Sequence, residues 1–268
     1  MRTLAGRRLP RTSTALLAAL LVFSSMSLAN DTTAEATTAF SPRVNETLNG
    51  GMITIGNAVI ECDPAQDASG NCIKSHTAQG FQNDLPMKHT RVDARFSTNS
   101  STSDLRLPAG ATVRHAYLYW TGTTVTAGID RVKWAPPGAT ALETLSPTAT
   151  VNSASPYVYV ADVTAQVRAA GDGTYVVGDI VTTTGNQQTA GWVLAVVYEA
   201  PGEALRNVSL FDGFVDVSPN TSPEVSISGF KTPPIGDVHS SVTVVALSLI
   251  HISEPTRLKT RSRMPSSA

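Results

Sequence analysis

Cys62 and Cys72 are the only cysteines in the chain, with nine residues between them in CDPAQDASGNC. An even count at that spacing fits a disulfide wherever the chain meets an oxidising compartment, and closing so short a loop restricts the unfolded chain by roughly 2 to 3 kcal/mol. A structural zinc site would need two further ligands at a recognisable spacing, and they are missing. The same loop offers oxygen donors from Asp63, Asp67, Ser69 and Asn71. Asp63 and Asp67 stand four apart, which does not match the alternating donors of an EF-hand, so the loop reads as a solvated turn. His76, His89, His115 and His239 are scattered, with no H-E-x-x-H and no i, i+4 pair, and give no support to a metalloenzyme. His115 sits in an apolar run and reads as a hydrogen-bonded core histidine. No G-x-S-x-G elbow occurs, while Gly171-Asp172-Gly173 and Gly185-Asn186 look like turns. Asp212, Asp216 and Glu224 are the one set that suggests paired carboxylates for glycoside cleavage, but such residues normally lie on a solvated strand face. The expectation is a chain with no catalytic residues, no metal and no cofactor.

The elements that must carry these residues are strands. From Gly50 onward, short β-branched runs are bounded by Gly, Pro, Asn and Asp. Met52–Ile55 and Ala58–Ile60 form the first pair, and Arg91–Phe96 alternates like an edge strand. Thr112–Trp120 is apolar or aromatic at nearly every position from His115 on, which implies burial on both faces of a central strand. Trp192–Tyr198 is the most apolar run after the amino-terminal segment and the second core strand. Further strands are expected at Ile129–Trp134, Tyr157–Val160, Thr174–Thr182, Asn207–Phe214, Val225–Phe230 and Val242–Ala246. They recur too closely for crossover helices, so the fold class is all-β, an antiparallel sandwich of jelly-roll type. One short helix is expected at 162–170: Asp162 or Thr164 can cap it, Val163 and Val167 share a face, and Gly171 can end it.

Both ends differ from this middle. Arg2, Arg7, Arg8 and Arg11 precede the apolar run Ala15–Phe23, and small residues follow up to Ala29. This is the three-part layout of a secretory signal peptide, and cleavage is expected between Ala29 and Asn30. Its apolar core of about nine residues is roughly 13 Å long as a helix, too short for a ~30 Å hydrocarbon layer, so no membrane span is expected in the mature chain. Leu247–Arg257 reads LSLIHISEPTR and resembles, codon for codon, the translation of a transposase-type sequencing adapter; Ser262–Ala268 matches the adapter's distal part. Residues 247–268 are therefore expected to be a non-native tail, projecting as coil from a truncated fold. Setting both ends aside leaves 12 basic and 20 acidic residues between Asn30 and Ala246, a net charge of −8. A surface of that sign repels phosphate backbones and excludes sequence-independent nucleic-acid binding.

The domain reading is a signal peptide (1–29), a flexible Thr-rich lead-in (30–49), an incomplete β-sandwich domain (50–246) and the adapter-derived tail (247–268). Asn49–Asn57 (NGGMITIGN), Arg114–Trp120 (RHAYLYW), Tyr159–Thr164 (YVADVT), Ala190–Tyr198 (AGWVLAVVY) and Leu205–Phe214 (LRNVSLFDGF) together resemble an amino-terminal β-rich domain of large Gram-positive and actinobacterial exported surface proteins. The resemblance implies a secreted or cell-wall-associated, non-enzymatic, adhesin-like domain with an extracellular protein or a glycan as partner, and it supplies no active-site residues. A secreted carbohydrate-binding or carbohydrate-active domain is the alternative, with exposed aromatics drawn from Trp120, Trp134 and Trp192. A Lys–Asn crosslink at Lys133 or Lys231 is a further covalent option.

Overall fold

A computed structural model describes residues 38–76, 85–124, 129–215, 224–232, 240–245 and 256–258; the Ala29–Asn30 junction lies outside them. In chain order the strands are β1 (Thr38–Ala58), β2 (Ile60–Cys62), β3 (Pro86–His89), β4 (Ser100–Leu105), β5 (Thr112–Gly122), β6 (Val132–Ala135), β7 (Glu143–Leu145) and β8 (Ala149–Asn152). They continue as β9 (Tyr157–Asp162), β10 (Gly173–Gly178), β11 (Gly185–Asn186), β12 (Ala190–Glu199), β13 (Leu205–Phe214), β14 (Val242–Val244) and β15 (Thr256–Leu258). Helices α1 (Asn71–His76) and α2 (Thr164–Ala170) are short.

The main sheet runs β13-β1-β12-β5-β9-β8, a second sheet runs β4-β10-β6-β7, and β11-β3-β2 forms a third. Every ladder between these strands is antiparallel, and the fold is all-β and sandwich-like. The two apolar runs meet in register, Trp192 opposite Trp120, Leu194 opposite Leu118 and Val196 opposite Ala116. Their inward side chains pack with Trp134, Tyr175 and Val177 of the second sheet in one core cluster. Trp192 Nε1 donates to Ser101 Oγ at 2.9 Å, a buried hydrogen bond from the main sheet to β4. β12 is buried from Ala190 to Tyr198, as its composition implies. β5 departs from expectation: its inner face is buried, but His115, Tyr117 and Tyr119 on the other face are only half-buried.

Helix α2 matches the expected position. Val163 and Val167 are buried on one face, Gly171 ends the helix at φ 67°, and Arg168 donates to the Val113 carbonyl at 2.9 Å. Asp162 accepts the Thr164 N–H at 2.9 Å, while the Thr164 hydroxyl turns away and accepts the Ala116 N–H at 2.9 Å, tying the helix to β5.

The largest correction concerns residues 38–49, expected as a flexible lead-in. They are ladder-paired: β1 pairs with β12 from Gly50 to Ala58 and with β13 from Asn49 back to Thr38. The first half of β1 and β13 form a two-stranded ribbon folded over the outer face of the main sheet. Val44, Leu48 and Val208 of the ribbon pack with Val197 of β12 and Tyr117 of β5. At the far end Thr38 Oγ1 donates to the Val151 carbonyl of β8 at 2.8 Å. Only Val44 and Leu48 in this half of β1 are buried apolar residues, so its composition resembles coil.

Three smaller corrections follow. Residues 91–96 form bends with a single bridge from Arg91 to Ser100, because Asp93 captures both the N–H and the guanidinium of Arg95. Val225–Phe230 carries no ladder, and Phe230 is exposed. In the tail, Thr256–Leu258 pairs with Val242–Val244 instead of projecting as coil.

Candidate functional site

Among the described residues, six ionisable side chains gather where the ribbon crosses the main sheet. A register shift in β1 between Pro42 and Val44 displaces Arg43 from the regular alternation. Its Nε and Nη2 both reach Asp212 Oδ2 on β13, at 2.5 Å each. The guanidinium carbon sits 5.3 Å from the Tyr117 ring centroid, in cation–π range. Tyr119 Oη lies 3.5 Å from the same Asp212 oxygen. One turn of the ribbon further on, Glu46 Oε1 meets His115 Nε2 at 2.9 Å, and the His115 and Tyr117 rings stack 6.2 Å apart.

The side chains of Arg43 and Asp212 are only 21% and 11% exposed, so this ion pair is far better shielded than an ordinary surface bridge. Burial alone would lower the Arg43 pKa, but the hydrogen bond to Asp212, together with the Asp212 charge, outweighs it and holds the guanidinium charged. Burial, reinforced by the Asp212 charge, pushes the Tyr119 phenol well above its ordinary range. Tyr117 is shifted up by burial and by Asp162. Both phenols therefore stay protonated at neutral pH, able to donate a hydrogen bond but not to act as nucleophiles. The network can clamp two layers or present fixed donors and acceptors to a ligand.

His115 is thus not in the core, and Asp212 is not on a solvated face. Of the other carboxylates considered, Asp216 lies outside the described residues and Glu224 is exposed. Arg43 and Glu46 carried no motif, and only the Val44/Leu48 spacing around them hints that this stretch packs on something. Removing Asp212 alone leaves Arg43 shielded and unpaired. Asp212→Ala should cost about 2 kcal/mol, and Arg43→Met with Asp212→Leu appreciably less, in denaturant titration. Equal losses would assign the pair no interaction.

Cys62 and Cys72 stand at disulfide distance, Cα to Cα 5.6 Å, joining β2 to α1. The loop carboxylates are spent locally. Asp67 accepts the Ser69 hydroxyl and the Cys72 N–H, which hold it below the usual carboxylate range, and Asp63 accepts from Ala65 N at 3.1 Å and Gln66 Nε2 at 2.9 Å. Among the described residues no three His, Cys, Asp or Glu side chains are grouped to hold a metal ion.

Trp120, Trp134 and Trp192 are all buried, so none presents a ring to a glycan. Lys133 meets Asp179 at 2.9 Å instead of an asparagine. Burial pushes the Asp179 carboxyl up, but the Thr98 N–H, the Lys133 ammonium and the Ser97 N–H outweigh it, and the group titrates below the ordinary range. An ionised carboxylate does not acylate an amine, so the pair is a salt bridge. A depressed folded-state pKa contributes stability above the unfolded pKa and loses it as pH falls through the folded value. Asp179→Asn should therefore flatten the loss of stability on acidification below about pH 4. Identical acid profiles for variant and parent would refute this.

A shallow open depression of about 420 Å³, lined by Asn49, Gly110, Thr112, Glu199 and Pro201, lies where β1 turns from β12 to β13. It contains a single carboxylate. No described helix is long and apolar enough to cross a membrane.

Neither curated proteins nor solved structures supply a match to this chain. A family model does: the one described as a protein of unknown function (DUF3344) matches residues 66–254. The matched stretch takes in the two core strands, α2 and β13, leaves β1 outside, and runs past the Ala246 boundary read from the adapter codons. With well over half its length matched, the chain belongs to the DUF3344 family.

Proposed function

We propose that this chain is an exported, non-enzymatic module of a secreted or cell-wall-associated surface protein, with an adhesin-like role toward an extracellular protein or glycan. The observation that carries the reading is the pairing of the strongest ionisable groups with one another. Arg43 is consumed by Asp212 and His115 by Glu46, in an arrangement that ties the ribbon to the sheet instead of opening onto a cleft. The bonding-distance cysteines suit an oxidising compartment. The amino-terminal layout, four arginines before a short apolar run, suits export, and the resemblance to large bacterial surface proteins suits the location.

Expression of the full chain in a Gram-positive host tests this. The protein should appear in the medium or wall fraction, beginning at Asn30. Unreduced, it should weigh two protons less than the dithiol form, and reduction should cost about 2 to 3 kcal/mol. Immobilised matrix proteins and glycans should bind it without turnover. Retention in the cytoplasm with two alkylatable thiols, or hydrolysis of a substrate abolished by Asp212→Asn, would overturn the reading.

A further inference from the structure

Exposed apolar side chains are spread unevenly over the described residues. Of the eight large ones, only Val92 and Leu205 stand apart, while Val225, Ile227, Phe230, Val242, Val244 and Val245 fall in two short stretches, each residue between 38% and 53% exposed. Scattered apolar residues on a surface are ordinary, but a concentration of them marks a place that something covers.

The spacing shows what kind of element is missing there. Val225 and Ile227 stand two apart, as do Val242 and Val244, the alternation of strands that bury one face. Yet the first stretch carries no ladder. It is held to the ribbon by Asn45 Nδ2 donating to the Gly229 carbonyl at 3.0 Å, by the Lys231 N–H donating to Asn207 Oδ1 at 3.1 Å and by the Phe211–Phe230 ring contact. The second stretch contains β14, which pairs only with Thr256–Leu258. That partner lies past residue 254, where the family match ends, so inside the matched unit β14 has no partner among the described strands. An open strand edge beside exposed apolar residues is what the loss of a neighbouring strand leaves. The matched unit continues after Ala246 through positions 247–254, where this chain reads LSLIHISE, the adapter-like codons.

We propose that the natural protein continues after Ala246 with an alternating apolar strand in place of LSLIHISE, and that this strand pairs with β14 and closes over Val225, Ile227 and Phe230. The occupant is the domain's own continuation and not a second protein, because the family unit includes those positions. The covered residues then belong to the core and are withheld from any extracellular ligand. This inference does not depend on the export reading.

Long-read sequencing of the genomic locus across the Ala246 codon should show a reading frame that departs from LSLIHISEPTR at once and runs on in alternating apolar residues. Genomic DNA that keeps LSLIHISEPTR, or a continuation rich in Pro, Gly and charge, would overturn the proposal. With residues 247–268 replaced by the sequenced continuation, the full chain should lose most of the ANS fluorescence of the present chain. Ile227→Ser, near neutral in the present chain because the side chain is exposed, should lower the melting temperature of the restored chain by several degrees. Equal ANS fluorescence in the two chains, or an Ile227→Ser that is neutral in both, would equally overturn it.

Discussion

Trp192→Ala should remove about 4 kcal/mol from the unfolding free energy, a large share of the 5 to 15 kcal/mol typical of a single domain. Trp192 is 1% exposed, lies opposite Trp120 in the ladder, and faces the second sheet. Two losses combine. The cavity forfeits the packing of an indole, and Ser101, itself buried, loses the Nε1 donor at 2.9 Å. Phenylalanine separates them, since it fills most of the cavity and makes no hydrogen bond. Trp120 is the control, equally buried but with an Nε1 that has no hydrogen-bond partner among the described atoms. Trp192→Phe should therefore cost about 1 to 2 kcal/mol more than Trp120→Phe in equilibrium denaturation. Equal costs for the two would mean that the Ser101 bond does not tie the layers together.

That core was legible because burial on both faces writes itself into composition. Ala190–Tyr198 has no charged residue and forms the most buried strand, and the Val163/Val167 spacing before Gly171 located α2 within two residues. The candidate site was not legible, for a physical reason. Its members come from β1, β5 and β13, they share no local spacing, and they meet only because β1 turns at Gly50 and carries Arg43 and Glu46 across β12 to β5. A reading by periodicity assigns His115 to the core, since its neighbours are apolar. It sends Asp212 to solvent, since acids on half-buried strands usually go there. Each residue obeys its local rule until the ribbon folds over it. Asn49-Gly50-Gly51 gave no sign of which layer the preceding strand would cover.

The turn at Gly50 is therefore the point where the sequence decides whether this site exists. A Cβ built on Gly50 would stand 1.9 Å from the Tyr198 carbonyl oxygen and 2.8 Å from the Glu199 Cα, both backbone atoms that no rotamer change can move. At Gly51 the nearest atom is the Tyr198 hydroxyl at 3.1 Å, the far end of a side chain and not backbone. Valine favours strands by propensity at either position, so propensity cannot explain a difference between them. Gly50→Val should cost upwards of about 3 kcal/mol, and Gly51→Val at least about 1 to 2 kcal/mol less. The loss at Gly50 should also be local in character. With the ribbon forced off its path, protease cleavage should appear between residues 38 and 49 before the β12–β5 core opens, and the interaction energy between Arg43 and Asp212 in a double-mutant cycle should fall toward zero. A Gly50→Val protein that keeps its parent's stability and its Arg43–Asp212 coupling would show that the ribbon reaches the outer face by another route. The close approach at Gly50 would then be incidental to the site.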